Sequence, residues 1–341
     1  MPPKTSETPR ILVVRFSSLG DLVLMTPLLR SIRERHPKAH VTLVTRKEYG
    51  SLFAQNPRVN EVVTWDGKEP LADLIAILRA TEWTHRLDLH GSLRSRWIRF
   101  RVGGRWGSYP KLRRARTALI KRKKDIYRDR RHVAQRYFDA AGGLDLTPDH
   151  KPAEIFIHND ALRAADQFLQ DAGLGRDRTL VAVVPGAAHA TKRWPEQYWH
   201  QLVATLVSMQ RDVVVLGGRQ EEGIGRRLAE TGGACAASAA GLFDLQGTAA
   251  LLRRSRGVVV GDTGLMHMAT AVGTPAVVLL GPTVTQFGFA PYHARATILE
   301  RQLDCRPCSK HGGDACPLGH HRCLVDILPD EVAEALRKVP H

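Results

Sequence analysis

Several groups of residues in this 341-residue sequence have the types and spacing to do chemistry. Near the N terminus, Ser17-Ser-Leu-Gly20-Asp21 sets one carboxylate on a glycine-bent loop where a helix should begin. A lone carboxylate there can take the proton of an attacking hydroxyl, the task of a general base in group transfer. The helix dipole keeps it ionised, and plain capping of the helix explains Asp21 equally well on residue type alone. In the second half, Gly257-Val-Val-Val-Gly-Asp262-Thr263-Gly264-Leu265-Met-His267 reads as strand, tight polar turn and small-residue helix. Such a turn aims backbone N–H groups and the positive end of a helix at an anion such as a diphosphate. Asp262 would repel phosphate, so its expected task is to hold the turn or a sugar hydroxyl. Capping by Asp262 or Thr263 accounts for those two residues but not for Gly264 and His267.

Lys192 and Arg193, in Ala190-Thr-Lys-Arg-Trp194, follow a loop with a strand-end glycine. A cation there can neutralise a departing phosphate without a metal; an exposed pair at a helix start is the plainer reading. Glu221, just after Gly217-Gly218, can accept ribose hydroxyl bonds, as acids after Rossmann-type strands do. Cys305, Cys308, Cys316 and Cys323 form a C-x2-C-x7-C-x6-C set in a Pro/Gly/His-rich loop. Four thiolates at such spacing suit a structural zinc or iron, with no open position for catalysis. Free thiols or a redox disulfide are the alternatives, and His311, His320 or His321 could replace a ligand.

The elements that must position these groups follow from hydrophobic pattern. Apolar, β-branched runs at 11–15, 41–45, 61–64 and 86–90 read as buried parallel strands, with a helix at 22–35 interrupted early by Pro27. After 149–152 the pattern restarts: helix 161–172, strand 180–184, helix 195–209, strand 212–216, strands 257–260 and 275–280, and a closing helix 329–339. Strands alternating with helices indicate two doubly wound α/β domains, 1–152 and 153–328, followed by a C-terminal helix, 329–341. Two such domains facing each other would bind ligands in a cleft at the carboxyl ends of both sheets.

Composition bounds the partners. The sequence is 43% hydrophobic, which suits a packed core, and carries a formal charge of +16. Between residues 94 and 136, 17 Lys and Arg face only Asp125 and Asp129, with Trp97, Trp106, Tyr109 and Tyr127 interleaved. That segment favours an anionic partner: nucleic acid, an anionic membrane surface or a phosphorylated substrate; a solvated basic helix is the bland alternative. No apolar run reaches membrane-span length, and 11–14 is too short for a signal peptide, so a cytoplasmic location is expected. The five cysteines, four of them clustered, are not spread like a secreted disulfide framework. The absence of a G-x-x-x-x-G-K-[ST] and of a strand-borne G-x-G-x-x-G argues against P-loop and NAD-binding chemistry.

Taken together, Arg15-Phe-Ser-Ser-Leu-Gly-Asp21, Thr191-Lys-Arg-Trp-Pro195, Gly261-Asp-Thr-Gly-Leu-Met-His267 and Gly281-Pro-Thr283 resemble glycosyltransferase family 9, the ADP-heptose:lipopolysaccharide heptosyltransferases. The likeness runs from about residue 11 to 328, with motifs in order. It implies a GT-B fold, acceptor domain first and ADP-sugar domain second, inversion at the anomeric carbon, and no cofactor or metal in catalysis. By the same resemblance Asp21 would be the base, and Thr191 and Lys192 would contact the donor's diphosphate and sugar. Glu221 would contact the ribose, and Asp262, Thr263, Gly264, Leu265 and His267 would line the ADP-heptose site. The basic segment, with Arg113, Arg114, Arg116, Lys121, Arg122, Lys123 and Lys124, would receive the phosphorylated, Kdo-rich lipopolysaccharide core, in peripheral contact with the anionic inner membrane. The rival readings are a nucleic-acid-binding protein with a four-cysteine metal loop, which leaves the diphosphate turn unexplained, and a related enzyme with another nucleotide-sugar donor or acceptor.

Overall fold

Ile11, Leu12, Val13 and Val14 are completely buried, as a strand covered on both faces requires. They are the heart of β1 (Arg10–Val14) in a computed structural model that describes residues 8–338. The chain divides into two compact units. The first runs to Lys111 and resumes over 131–156; the second takes 112–130 and everything from Ile157 onward.

In the first unit β1 is followed by α1 (Leu19–Leu24) and α2 (Thr26–Arg35), then β2 (His40–Arg46), β3 (Glu61–Trp65), α3 (Leu71–Arg79), β4 (His85–Asp88), α4 (Leu93–Val102) and β5 (Gly107–Ser108). The sheet is parallel throughout, in the order β3-β2-β1-β4-β5. The loops after β1 and β4 therefore leave at the point where strand order reverses, the usual place for a ligand in such sheets. The single helix expected at 22–35 is two. Pro27 lies in the first turn of α2, where its missing N–H costs nothing, and the Thr26 hydroxyl donates to the Val23 carbonyl at 2.8 Å across the break.

α5 (Arg113–Arg122) belongs to the second unit, while α6 (Val133–Arg136) returns to the first. A cut at 152 puts 112–130 with the first domain, but Leu119 and Tyr127 pack with Phe287. Lys123 Nζ donates to the carbonyls of Cys305 at 2.8 Å and Pro307 at 2.6 Å. The first unit extends to Phe156 because buried Arg30 pairs with Asp149 (2.6 Å) and Glu154 (3.0 Å).

The second unit continues with α7 (Asn159–Asp171), β6 (Thr179–Val184), α8 (Glu196–Ser208), β7 (Arg211–Val215), α9 (Glu222–Gly232), β8 (Ala236–Ser238), α10 (Leu245–Arg254), β9 (Gly257–Gly261), α11 (Gly264–Ala271), β10 (Ala276–Leu280), β11 (Ala296–Glu300), α12 (Arg322–Val325) and α13 (Pro329–Lys338). Its parallel sheet has the order β11-β10-β9-β6-β7-β8, so the reversal falls between β6 and β9. The closing helix is part of this core: Val332, Ala333 and Ala335 pack with Trp199, Val259 and Leu324. Residue 339 of that expected helix, and the polar residues 1–7, lie outside the described residues.

Candidate active site

Asp21 sits in the first turn of α1, and its carboxylate reaches back to Ser18, whose N–H donates at 3.3 Å and hydroxyl at 3.1 Å. Asp21 is therefore not the N-cap, which is Ser18, but the N3 residue of a capping box, and capping does not exhaust the residue. Arg15, only 5% exposed, forms an ion pair with the same carboxylate, and the Tyr137 hydroxyl donates to its other oxygen at 2.9 Å. Arg15 also donates to the Leu89 carbonyl at the end of β4 and lies 3.4 Å from the Tyr109 hydroxyl. The Tyr109 and Tyr137 rings meet edge to face at 4.7 Å. Burial pushes the Asp21 carboxyl up, but Arg15, Tyr137 and Ser18 together hold it below the usual carboxylate value. Burial next to Asp21 pushes Tyr137 well up, so its phenol keeps the proton it donates.

His90, in the loop after β4, joins this group. Lys111 donates to its carbonyl, and its ring lies 5.3 Å from Phe16. Burial, then Arg15 and Lys111, push its imidazole down to about 4, so it is neutral at physiological pH. Its Nδ1 is buried without a partner among the described residues. His90, Lys111, Tyr109 and Tyr137 were not expected at this site. Only Arg15 carried a signal, inside the Arg15–Asp21 motif; the others come from positions roughly 70 to 116 residues beyond Asp21, Tyr137 from a 3-10 turn after α6, and meet it through the β1–β4 pairing.

In the second unit the loops after β6, β9 and β10 converge. Lys192 Nζ contacts the Asp262 carboxylate at 2.6 Å and the Asp262 carbonyl at 3.0 Å, and the Thr283 hydroxyl donates to the same carboxylate at 2.6 Å. Burial raises the Asp262 carboxyl, but Lys192, Thr283 and His267 hold it below its ordinary value. Asp262 therefore holds the turn and aims Lys192. Arg193 instead bonds its own loop, donating to the Ala187 carbonyl at 2.9 Å. Thr263 caps α11 by backbone alone, and its buried hydroxyl has no partner among the described residues. Gly264 opens the helix, followed by Leu265, and His267 is buried one turn in.

Glu221 follows β7 and accepts from the Gly218 N–H at 2.9 Å. A Cβ on Gly186 or Gly217 would come within 2.5 Å of its side chain, so these glycines make room for it. Thr191 is buried, and its hydroxyl exchanges bonds with Gly313, donating to the carbonyl at 3.1 Å and accepting from the N–H at 2.8 Å.

Arg306, missed by pattern, pins the 281–283 loop. Buried to 8% exposure, it donates to the carbonyls of Gly281 (2.6 Å) and Thr283 (2.8 Å) and pairs with Glu300 (2.7 Å). Arg306→Met strands those acceptors and is expected to cost about 3 kcal/mol. Denaturant unfolding should show the loss as a lowered midpoint; an unchanged midpoint would refute the pinning role.

The metal expected at Cys305, Cys308, Cys316 and Cys323 is not supported. All four are free thiols close enough to perturb one another. Burial, then Cys305 and Cys316, raise Cys308, and burial with the neighbouring thiols pushes Cys323 up to about 11. Among the described residues no group of three or more His, Cys, Asp or Glu is arranged to hold a metal ion. The ring of His321 is hydrogen-bonded to the Thr191 carbonyl at 2.9 Å, and His320 accepts from the Arg322 N–H at 3.0 Å. Of the basic residues on and after α5, Arg113, Arg114, Lys121, Arg122 and Lys124 are exposed and Arg116 is half-buried, while Lys123 holds the cysteine loop.

Residues 71–317 match the family model of glycosyltransferase family 9 (heptosyltransferase). The chain is 26% identical to lipooligosaccharide heptosyltransferase 2 of Haemophilus ducreyi, over 97% of this chain and 99% of that one. A family 9 glycosyl transferase from Veillonella parvula superposes with a TM-score of 0.82 at 22% identity, covering 98% of each chain. The E. coli ADP-heptose lipopolysaccharide heptosyltransferase II superposes at 0.74 and 23% identity, covering 97% of this chain and 98% of that one. The two Rossmann-type units are those of the GT-B fold.

Proposed function

As this chain belongs to glycosyltransferase family 9 and is a heptosyltransferase, we propose that it moves a heptose from ADP-heptose to the phosphorylated inner core of lipopolysaccharide, with inversion. The observation that carries this reading is the Lys192–Asp262–Thr283 cluster beside the unpartnered Thr263 hydroxyl at the start of α11. It offers a cation, a hydroxyl and a helix N terminus to one diphosphate.

In the reaction, the acceptor hydroxyl gives its proton to Asp21 as its oxygen bonds to the anomeric carbon. The bond from that carbon to the diphosphate breaks, and its electron pair leaves on the β-phosphate oxygen of ADP. Attack opposite the leaving group inverts the centre. Lys192 and the α11 N terminus meet the charge that develops on the diphosphate, so no step runs through a metal or the cysteine loop. Asp262 is a positioning residue through Lys192. Thr191, Gly264, Leu265 and His267 shape the donor site, and Glu221 takes the ribose hydroxyls. The exposed cations of 113–124 receive the acceptor's phosphates, and the chain meets an anionic membrane surface peripherally.

ADP, or a non-transferable ADP-heptose analogue, should raise the melting temperature. At a hundredfold excess over Kd, binding adds ~2.7 kcal/mol to the liganded state. The absence of any shift across a millimolar panel of ADP-, UDP- and GDP-sugars would sink the donor assignment. Transfer to truncated lipopolysaccharide cores then identifies the acceptor.

A further inference from the structure

Helix α4 has two faces of opposite fate. Ser95 and Ile98 are buried, and Arg99 turns back to Asp88 at 3.6 Å. On the other side Leu93, Trp97 and Phe100 are 82%, 49% and 75% exposed. Their spacing of four and then three residues puts them on one stripe of an α-helix. The Trp97 and Phe100 rings lie 5.7 Å apart, so the stripe is continuous rather than three isolated residues. At 100° per residue, Arg96 flanks it on one side and Arg94 and Arg101 on the other. All three arginines are exposed. The Arg101 guanidinium sits over the Trp97 ring at 5.5 Å and that of Arg94 over Trp65 at 5.6 Å, so cation and aromatic surface are presented together along the stripe.

We infer that the Leu93–Trp97–Phe100 stripe of α4 seats this protein on an anionic phospholipid bilayer, its side chains entering the headgroup boundary while Arg94, Arg96 and Arg101 meet lipid phosphates. An exposed apolar stripe flanked by cations matches the two layers it would meet, acyl boundary and anionic headgroups. Charge decides against a second copy of the chain. α4 carries no acidic residue, so two copies joined face to face would set arginine rows against each other. Charge alone would suit nucleic acid, but Leu93 and Phe100 have no polar atom to offer a base edge, and Leu93, the most exposed of the three, has no ring on which a base could stack. The helix begins three residues after His90, in the loop that also supplies Leu89 to Arg15. Seating α4 on a bilayer thus brings the Asp21 loop system close to a lipid-borne acceptor. This deepens the membrane contact of the proposed function and rests on it only for the acceptor's being lipid-borne.

Flotation of the full chain with phosphatidylcholine vesicles, with and without phosphatidylglycerol, tests the seat. Binding should require the anionic lipid. Trp97→Ser with Phe100→Ser should weaken it about tenfold or more, and replacing Arg94, Arg96 and Arg101 by Gln should weaken it about a hundredfold at low salt. Brominated lipid should quench the wild type more than Trp97→Phe. Melting temperature reports folding; should the double variant melt early, Phe100→Ser, at the more exposed ring, carries the test alone. The inference is overturned by equal binding of wild type and stripe variants, by no binding of the wild type, or by a wild-type oligomer that the variants lose without any vesicle binding. The vesicles contain neither donor nor acceptor sugar, so failure here and failure of the nucleotide-sugar panel are separate results.

Discussion

Asp21→Asn is expected to slow transfer by about a thousandfold while leaving ADP affinity within a few-fold. The base acts on the acceptor, and the residues proposed to hold ADP belong to the other unit, so rate and nucleotide binding should separate. The Arg15 ion pair and the Tyr137 and Ser18 hydrogen bonds favour the carboxylate over the acid, which makes Asp21 always available but weakly basic. Weak basicity suffices when the acceptor oxygen acidifies as it bonds to an electron-poor anomeric carbon, as carboxylates manage in glycosidases. The lowered value fixes a sign. The ionised form is favoured by the fold, so its contribution to stability is complete above the unfolded carboxylate value and is lost as pH falls through the folded one. The acid limb of kcat/KM should accordingly lie below the ordinary carboxylate range, and Tyr137→Phe, which removes one hydrogen bond, should move that limb upward. Full activity of Asp21→Asn would remove it as the base. Because the variant also leaves Arg15 with a neutral partner, its melting temperature must be measured beside its rate.

Lys192→Met should lower kcat about a hundredfold or more, the scale of removing one preorganised charge from a developing anion. It should also destabilise the second unit by on the order of 3 kcal/mol, since Asp262 is left ionised and largely buried without its cation. The two effects can be pulled apart. Lys192→Met combined with Asp262→Asn removes both charges and should recover most of the stability but little of the rate. If the double variant recovers rate as well, Lys192 is only a counter-ion for the turn and has no part in departure of the diphosphate.

The strands at 11–15, 41–45, 180–184 and 257–260 were legible because buried parallel strands read as apolar, β-branched runs, and Gly186 and Gly261 marked the loops after two of them. Asp21, Lys192 and Asp262, the residues proposed to work on the substrates, stand out in the sequence because each follows such a run by two to eight residues. The Tyr137 partner of Asp21 was not legible, because it lies 116 residues away and only strand order brings it near. The binding of Thr191 by Gly313, 122 residues on, was hidden likewise. Residues 94–136 read as one basic segment, since charge counting does not distinguish α4, with its apolar stripe, from α5, which packs on Phe287. The cysteine spacing was read as a metal set, although spacing constrains the chain and not the direction of the thiols.

The excursion of 112–130 into the second unit has a cost in time. During synthesis the first unit is complete once Phe156 has emerged, but α5 already hangs from it with Leu119 uncovered. Its cover, around Phe287, arrives roughly 160 residues after α5, a delay on the order of ten to thirty seconds at ribosomal speed. For that interval a basic helix with an open apolar side must be kept from other partners. The five Lys and Arg of α5 and the two that follow it, Lys123 and Lys124, unopposed by any acid over 113–124, are well suited to keep identical nascent chains apart.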